Sequence, residues 1–336
     1  MHMADALVSP AVAGVAGAAA LTLLVVASRK VGRSEKENIV PLMGVMGAFV
    51  FAAQMINFSI PGTGSSGHII GGILLAALMG PWAGYLTLAS VLVVQALVFA
   101  DGGLMALGCN LLNMGVCSTL IAYPLIYRPI VGKSLKMWRM TVAAIVSSVV
   151  GLELGAMLVT LETELSGVTA LDAGSFLALM TSIHFFIGIG EGVATAAVLY
   201  FVKSYKPSLL IDYRETRGAG TGGYRHAAIV FILIAVLLAG VFTWIASDNP
   251  DGLEWSIGKL VGDASLTSHV QGVAAAFKNV QNTTSVLPEY DSTWSGIIGC
   301  TIVIALVWSI CSLITRRHKS TISVTTNNDS TRKGII

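Results

Sequence analysis

Charge is what this sequence has least of. Asp, Glu, Lys and Arg together make up 11% of 336 residues, where soluble domains carry about a quarter, so the charged shell of a water-soluble globule is excluded. Cysteine is scarce and poorly spaced. Cys109, Cys117, Cys300 and Cys311 form two pairs, eight and eleven residues apart, within apolar runs. This is neither a zinc nor a disulfide framework, and all four are expected as small buried apolar side chains. A nucleotide loop is missing as well. Gly132, Lys133 and Ser134 resemble the end of one, but Tyr127 stands where its first glycine belongs and Pro129 intervenes. No His-Glu-x-x-His spacing occurs. The chain therefore reads as a non-enzyme that hydrolyses no ATP, and no nucleic-acid partner is expected.

Apolar length takes the place of charge. The chain is 54% hydrophobic, with 36 glycines and a mean hydropathy of +0.78. Runs long enough to cross a bilayer, about 20 residues each, fall near 8–28, 39–58, 104–126, 140–161, 175–202, 226–247 and 294–315. The expected fold is an all-α polytopic membrane bundle of about nine segments. Basic residues set its orientation, because Lys and Arg beside short loops stay cytoplasmic. Loops 29–38, 127–139 and 203–225 and the carboxyl-terminal tail hold 18 of the 20, leaving only Lys259 and Lys278. The amino terminus is then outside and the carboxyl terminus cytoplasmic. Parity makes the stretch 69–99 either cross twice or enter and return, with Gly80 and Pro81 marking the break. Its first arm, 69–79, would rise only about 16 Å as a helix, and irregular backbone at that depth has to be enclosed by protein. The start lacks the charged region and cleavage site of a signal peptide, so Met1 is expected to persist.

Met1 and His2 then offer a metal chelate. The terminal amine, the amide nitrogen of His2 and its Nδ1 can close two fused rings in one plane, a tetragonal set that suits Ni(II) or Cu(II). One planar position stays open. His226 and His318 flank cytoplasmic ends, and His269 lies in the long outer loop. His68 follows the outer loop Pro61-Gly62-Thr63-Gly64-Ser65-Ser66-Gly67 on the same side as His2 and can fill that position; otherwise it is a helix-start histidine bonded to its own loop. A second block runs from Gln95 through Asp101 to Asn110, Asn113 and Met114. Asn110 and Asn113 share a helix face, which favours a hydrogen-bond clamp over metal ligation. His184 and Glu191, two turns apart on one helix, are functional candidates because intramembrane ionisable groups are costly. They suit a proton relay, a second metal step, or helix packing among small residues. Glu153 is a further intramembrane acid with no assignable partner.

Together, Met1-His2 with Asp5 and Ser9-Pro10, the Gly67-His68 loop, the Gln95–Met114 block and the His184–Gly192 block resemble the substrate-binding membrane component of nickel/cobalt energy-coupling-factor transporters, the NikM/CbiM type. Ala6 stands where that family commonly has glycine. The resemblance implies metal donors at Met1, His2 and His68, with Asp5, Gln95, Asp101, Asn110, Asn113, His184 and Glu191 in support. From about 225, two helices around an outer loop with Pro250-Asp251-Gly252-Leu253-Glu254 are similar to the NikN-type PDGLE accessory segment. Loop 205–224 reads as the fusion linker, and Asp251 and Glu254 as a solvated outer turn that could still steer metal loading. The implied organisation is 1–222 metal-binding, 223–318 accessory and 319–336 cytoplasmic tail. The implied function is ion capture for an ABC-type importer of Ni(II), with Co(II) close behind and no permanently bound cofactor. It sits in the cell's inner or plasma membrane and works with a coupling subunit (NikQ/CbiQ type) and cytosolic ATPases (NikO/CbiO type). A proton-coupled secondary carrier built on His184 and Glu191 is the alternative. The first helix, with Ala11, Ala13, Gly14, Ala16, Gly17 and Ala18, offers a small-residue surface toward the coupling subunit or toward the bundle itself.

Overall fold

A computed structural model describes residues 1–32, 39–217, 225–262, 272–288 and 294–313. His269, His318, the 222/223 domain boundary, the Gly218–Gly223 stretch and the tail 319–336 lie outside the described residues. Six helices are long and apolar enough to cross a membrane: α1 (Pro10–Gly32), α4 (Pro81–Val98), α5 (Leu107–Val131), α6 (Met137–Ser166), α7 (Ala173–Tyr205) and α12 (Trp294–Leu313). Two shorter apolar helices, α2 (Ile39–Gln54) and α9 (Arg225–Gly240), pack against each other. Their 16 residues each rise about 24 Å. Runs 39–58 and 226–247 are thus shorter as helices than their hydropathy implies.

The break at Gly80-Pro81 is where expected. Gly80 has φ +92°, a conformation open to glycine, and Pro81 occupies the first turn of α4, where its missing N–H costs nothing. Before the break lies α3 (Gly72–Met79), eight residues that are all buried. At about 12 Å it is a half-helix, enclosed by α2, α4, α5, α6 and α7. Close packing around it depends on small residues, since a Cβ on Gly84 would come within 2.9 Å of the Ala76 nitrogen. Helix α5 is wound as a π-helix over Leu111–Tyr127, with Pro124 inside it. Proline removes a backbone donor there, and the Ser118 and Thr119 hydroxyls bond carbonyls one turn back.

Three features depart from expectation. The glycine-rich loop before His68 is a small antiparallel hairpin, β1 (Phe58–Ile60) with β2 (Ser65–Gly67), Phe58 opposite Gly67, so the chain is mostly rather than wholly helical. The expected linker is partly ordered: α8 (Ile211–Arg217) is held because buried Arg214 donates to the carbonyls of Leu78 (2.9 Å), Ser208 and Leu209, closing the carboxyl-terminal end of α3. The loop that holds Pro250-Asp251-Gly252-Leu253-Glu254 also carries two helices, α10 (Gly252–Val261) and α11 (Val273–Thr284), with α10 resting on α7 and α11 on α4. In α1, Ala13, Ala16 and Ala20 face inward while Gly14 and Ala18 are exposed. All four cysteines are buried and free, as expected.

Candidate metal site

The first residues of the chain are folded inward. Met1 and Met3 are buried, and the Met3 backbone is clamped on both sides by Asn110: its N–H donates to Oδ1 (2.7 Å) and its carbonyl accepts from Nδ2 (3.2 Å). The same carbonyl accepts from Gly103 N (2.9 Å). Asp5 then accepts from Ala106 N (2.9 Å), and glycine at 103 is required because any Cβ there would overlap the Asp5 carboxylate. The clamp expected of Asn110 is thus present, and its object is the amino-terminal segment. Asn113 points elsewhere, donating to buried Glu162 (2.7 Å).

This clamp holds His2 over His68, the two rings stacked with centroids 5.1 Å apart and planes 23° from parallel. His68 Nδ1 lies 3.2 Å from the Ile69 carbonyl. Bonded there as donor, it leaves Nε2 with a free lone pair. His2 Nε2 lies 3.3 Å from Gln95 Oε1, and Nδ1 is 3.2 Å from Asp101 Oδ1. Gln95 is itself oriented, donating to Gln54 Oε1 (2.8 Å), which in turn donates to the Ile70 carbonyl (2.8 Å). Glu191 holds the same segment from the other side, accepting from Ile70 N (2.9 Å) and Gly71 N (3.1 Å). Glu191 therefore anchors the backbone beside His68, and both of its oxygens are engaged. Burial lowers the pKa of His2, with the terminal amine adding to the effect against Asp101. Burial, the terminal amine and His2 lower that of His68. Both imidazoles are neutral near pH 7, the form that ligates a metal.

Of the expected solvated turn, Glu254 is exposed, but Asp251 is turned inward. The Asp251 carboxylate lies 2.6 Å from the Met1 ammonium nitrogen and also caps α10, accepting from Leu253 N and Glu254 N, while Glu254 returns a bond to Asp251 N. The amine, with hydrogen bonds from α10, holds the Asp251 carboxyl well below the usual carboxylate range despite burial. The contact joins residues 250 positions apart. The Asp-x-x-Glu spacing of a capping box is a local signal that could have marked the start of α10; nothing local marks the amine. Gln54 and Glu162 were missed for the same reason, their partners being tertiary.

Above the stacked rings opens a cavity of about 940 Å³, lined by Asp5, Asp101, Asp251 and Glu254 with Lys278. Four acids against one lysine attract cations. Among the described residues, no group of three or more His, Cys, Asp or Glu side chains could hold a metal ion. An ion bound here would need main-chain nitrogen beside the imidazoles; His2 and His68 line this cavity, and the Met1 amine, paired with Asp251, lies beside them. His184 lies just beneath. It is buried, its Nδ1 is 2.7 Å from the Met180 carbonyl, and it borders a second, small cavity together with Met1 and His68. Glu153 faces no hydrogen-bond partner through Oε1.

Residues 2–209 match the cobalt uptake substrate-specific transmembrane region, CbiM, and residues 225–316 match the PDGLE domain. A protein of Archaeoglobus fulgidus named for fused nickel transport, NikMN, is 29% identical over 92% of this chain and 98% of its own length. The fused nickel transport protein NikMN of Rhodobacter capsulatus is 30% identical over 64% of this chain and 65% of its own. The cobalt transport protein CbiM of Clostridium tetani is 27% identical over 61% of this chain and 85% of its own. A crystal structure of a truncated transition metal transporter superposes with a TM-score of 0.54 at 32% identity, covering 61% of this chain and 99% of that one.

Proposed function

From the premise that this chain belongs to the CbiM family and carries a PDGLE domain, making it a membrane component of nickel or cobalt transport, we propose that it captures Ni(II) from outside for an ABC-type importer of the energy-coupling-factor kind, with Co(II) the next-best ion. The capture site is the amine of Met1, the amide nitrogen and Nδ1 of His2, and Nε2 of His68. One observation carries this reading: the first two residues are folded inward against His68, under an acidic cavity, with His2 and His68 rings 5.1 Å apart. The hydrated ion is drawn by the acids and exchanges water for four nitrogens. His2 turns Nδ1 from Asp101 to the metal and keeps its proton on Nε2, facing Gln95. A coupling subunit and cytosolic ATPases of the cell membrane supply the energy, since no nucleotide loop is encoded here.

The test is an amino-terminal extension. One added residue removes the chelating amine and is expected to abolish nickel binding by the purified chain, while His2→Ala and His68→Ala weaken it severely. Normal nickel uptake by an amino-terminally tagged form overturns the reading. Metal content after equal exposure of the untagged protein to both ions decides nickel against cobalt.

A further inference from the structure

Among the described residues, His184 is the one imidazole near the candidate site that the capture reading leaves without a task. It is 1% exposed. Its Nδ1 faces the Met180 carbonyl at 2.7 Å, a contact that places the proton on Nδ1. Nε2 is then a buried lone pair, and it has no hydrogen-bond partner. A backbone carbonyl that fixes one ring nitrogen is the usual outer-shell support for a histidine that ligates metal through the other. A buried acceptor left empty is destabilising, so its presence here points to an intermittent partner.

The small cavity beside it identifies that partner's size and route. It holds about 10 Å³ and is lined by Met1, Gly67, His68, Ile70, Leu152, His184, Ile187, Asp251 and Gly252. That is about the space for a single water-sized particle. Leu152 lies midway along α6 and Ile187 lies within α7, so the cavity is on the membrane side of the His2–His68 pair. It also reaches Ile70, whose N–H is held by Glu191. Two residues of the capture site, Met1 and His68, therefore share this space with the unpartnered nitrogen.

We propose that His184 is the first inward donor for the transported divalent ion: Nε2 accepts it as it leaves the four-nitrogen site, with His68 the ligand common to both positions. The exchange swaps nitrogen donors on one cation. As the ion departs, the His2 amide and the Met1 amine each regain from water the proton lost on capture, and the ammonium returns to Asp251. The inference rests on the capture reading but fails separately from it.

Binding and movement are measured on the same variants. Purified, untagged His184→Ala is expected to bind Ni(II) in equilibrium dialysis within about threefold of the unaltered chain, while nickel uptake by cells carrying it with its partner subunits falls at least tenfold. His184→Gln keeps a buried polar side chain without an imidazole nitrogen, should lose uptake equally, and carries the test if the alanine variant does not fold. Normal uptake by either variant overturns the proposal. So does equal loss of binding and uptake in a normally folded variant, which would make His184 part of capture. His68→Ala that still binds nickel normally would instead overturn the capture site itself.

Discussion

The chemistry of the site depends on which nitrogen of His2 carries a proton. Chelation through Nδ1 requires the proton on Nε2, and Gln95 Oε1 is the acceptor positioned for it. Gln95 cannot easily rotate, because its amide nitrogen is committed to Gln54. Losing such an outer-shell partner typically costs 10–100-fold in metal affinity, and Gln95→Ala is expected to show a loss in that range by nickel titration; unchanged affinity would refute the tautomer argument. Acid should act on other atoms. Because burial holds both imidazoles below their ordinary pKa, neither needs to lose a proton near neutrality. The protons that must leave are one from the Met1 ammonium and one from the His2 amide. Binding should therefore release about two protons per ion and weaken as pH falls, measurable by calorimetry in buffers of different ionisation enthalpy. A release near zero would exclude amide ligation.

At the scale of elements, the hairpin and α10 form one unit. Ser66 N donates to the Pro250 carbonyl (2.8 Å), Ser66 Oγ to Asn249 (2.7 Å) and Trp255 Nε1 to Thr63 (3.0 Å). These bonds set the start of α10, and with it Asp251, over the amine. Gly252 must stay small for this placement: a Cβ there would sit 3.0 Å from His184 Cε1 and 3.0 Å from Ile187 Cδ1. Gly252→Ala is expected to lift α10, weaken nickel binding several-fold and lower stability by about 1–3 kcal/mol as overpacking does, read by titration and thermal melting. What sequence made legible here follows from the range of each signal. Gly80-Pro81 announced the helix break because both residues act on their own backbone. Asn110 and Asn113 shared a face by helical spacing, yet only the fold decided that one grips Met3 and the other Glu162. The hairpin stayed hidden, being two strands of three residues in a glycine-rich loop, and the Asp251–Met1 pair could not be read from either end of a 250-residue separation.

At the scale of the whole molecule, the candidate site joins the two matched regions. His2 and His68 lie in the CbiM region, Met1 stands immediately before it, and Asp251 comes from the PDGLE domain. In the bound state, an amine ligating the ion still has N–H groups to offer Asp251, and the carboxylate also faces the cation's charge. The PDGLE domain should therefore contribute to affinity from outside the donor set. Asp251→Asn, which keeps a good helix cap, is expected to weaken nickel binding about tenfold, equal to about 1.4 kcal/mol. Stability should respond in step, because an ion that binds only the folded chain at 100 times its Kd stabilises it by about 2.7 kcal/mol. At one fixed nickel concentration, the rise in melting temperature should be largest for the unaltered untagged chain, smaller for Asp251→Asn and absent for His2→Ala. An equal rise in Asp251→Asn and the unaltered chain would mean that the PDGLE domain rests on the site without taking part in it.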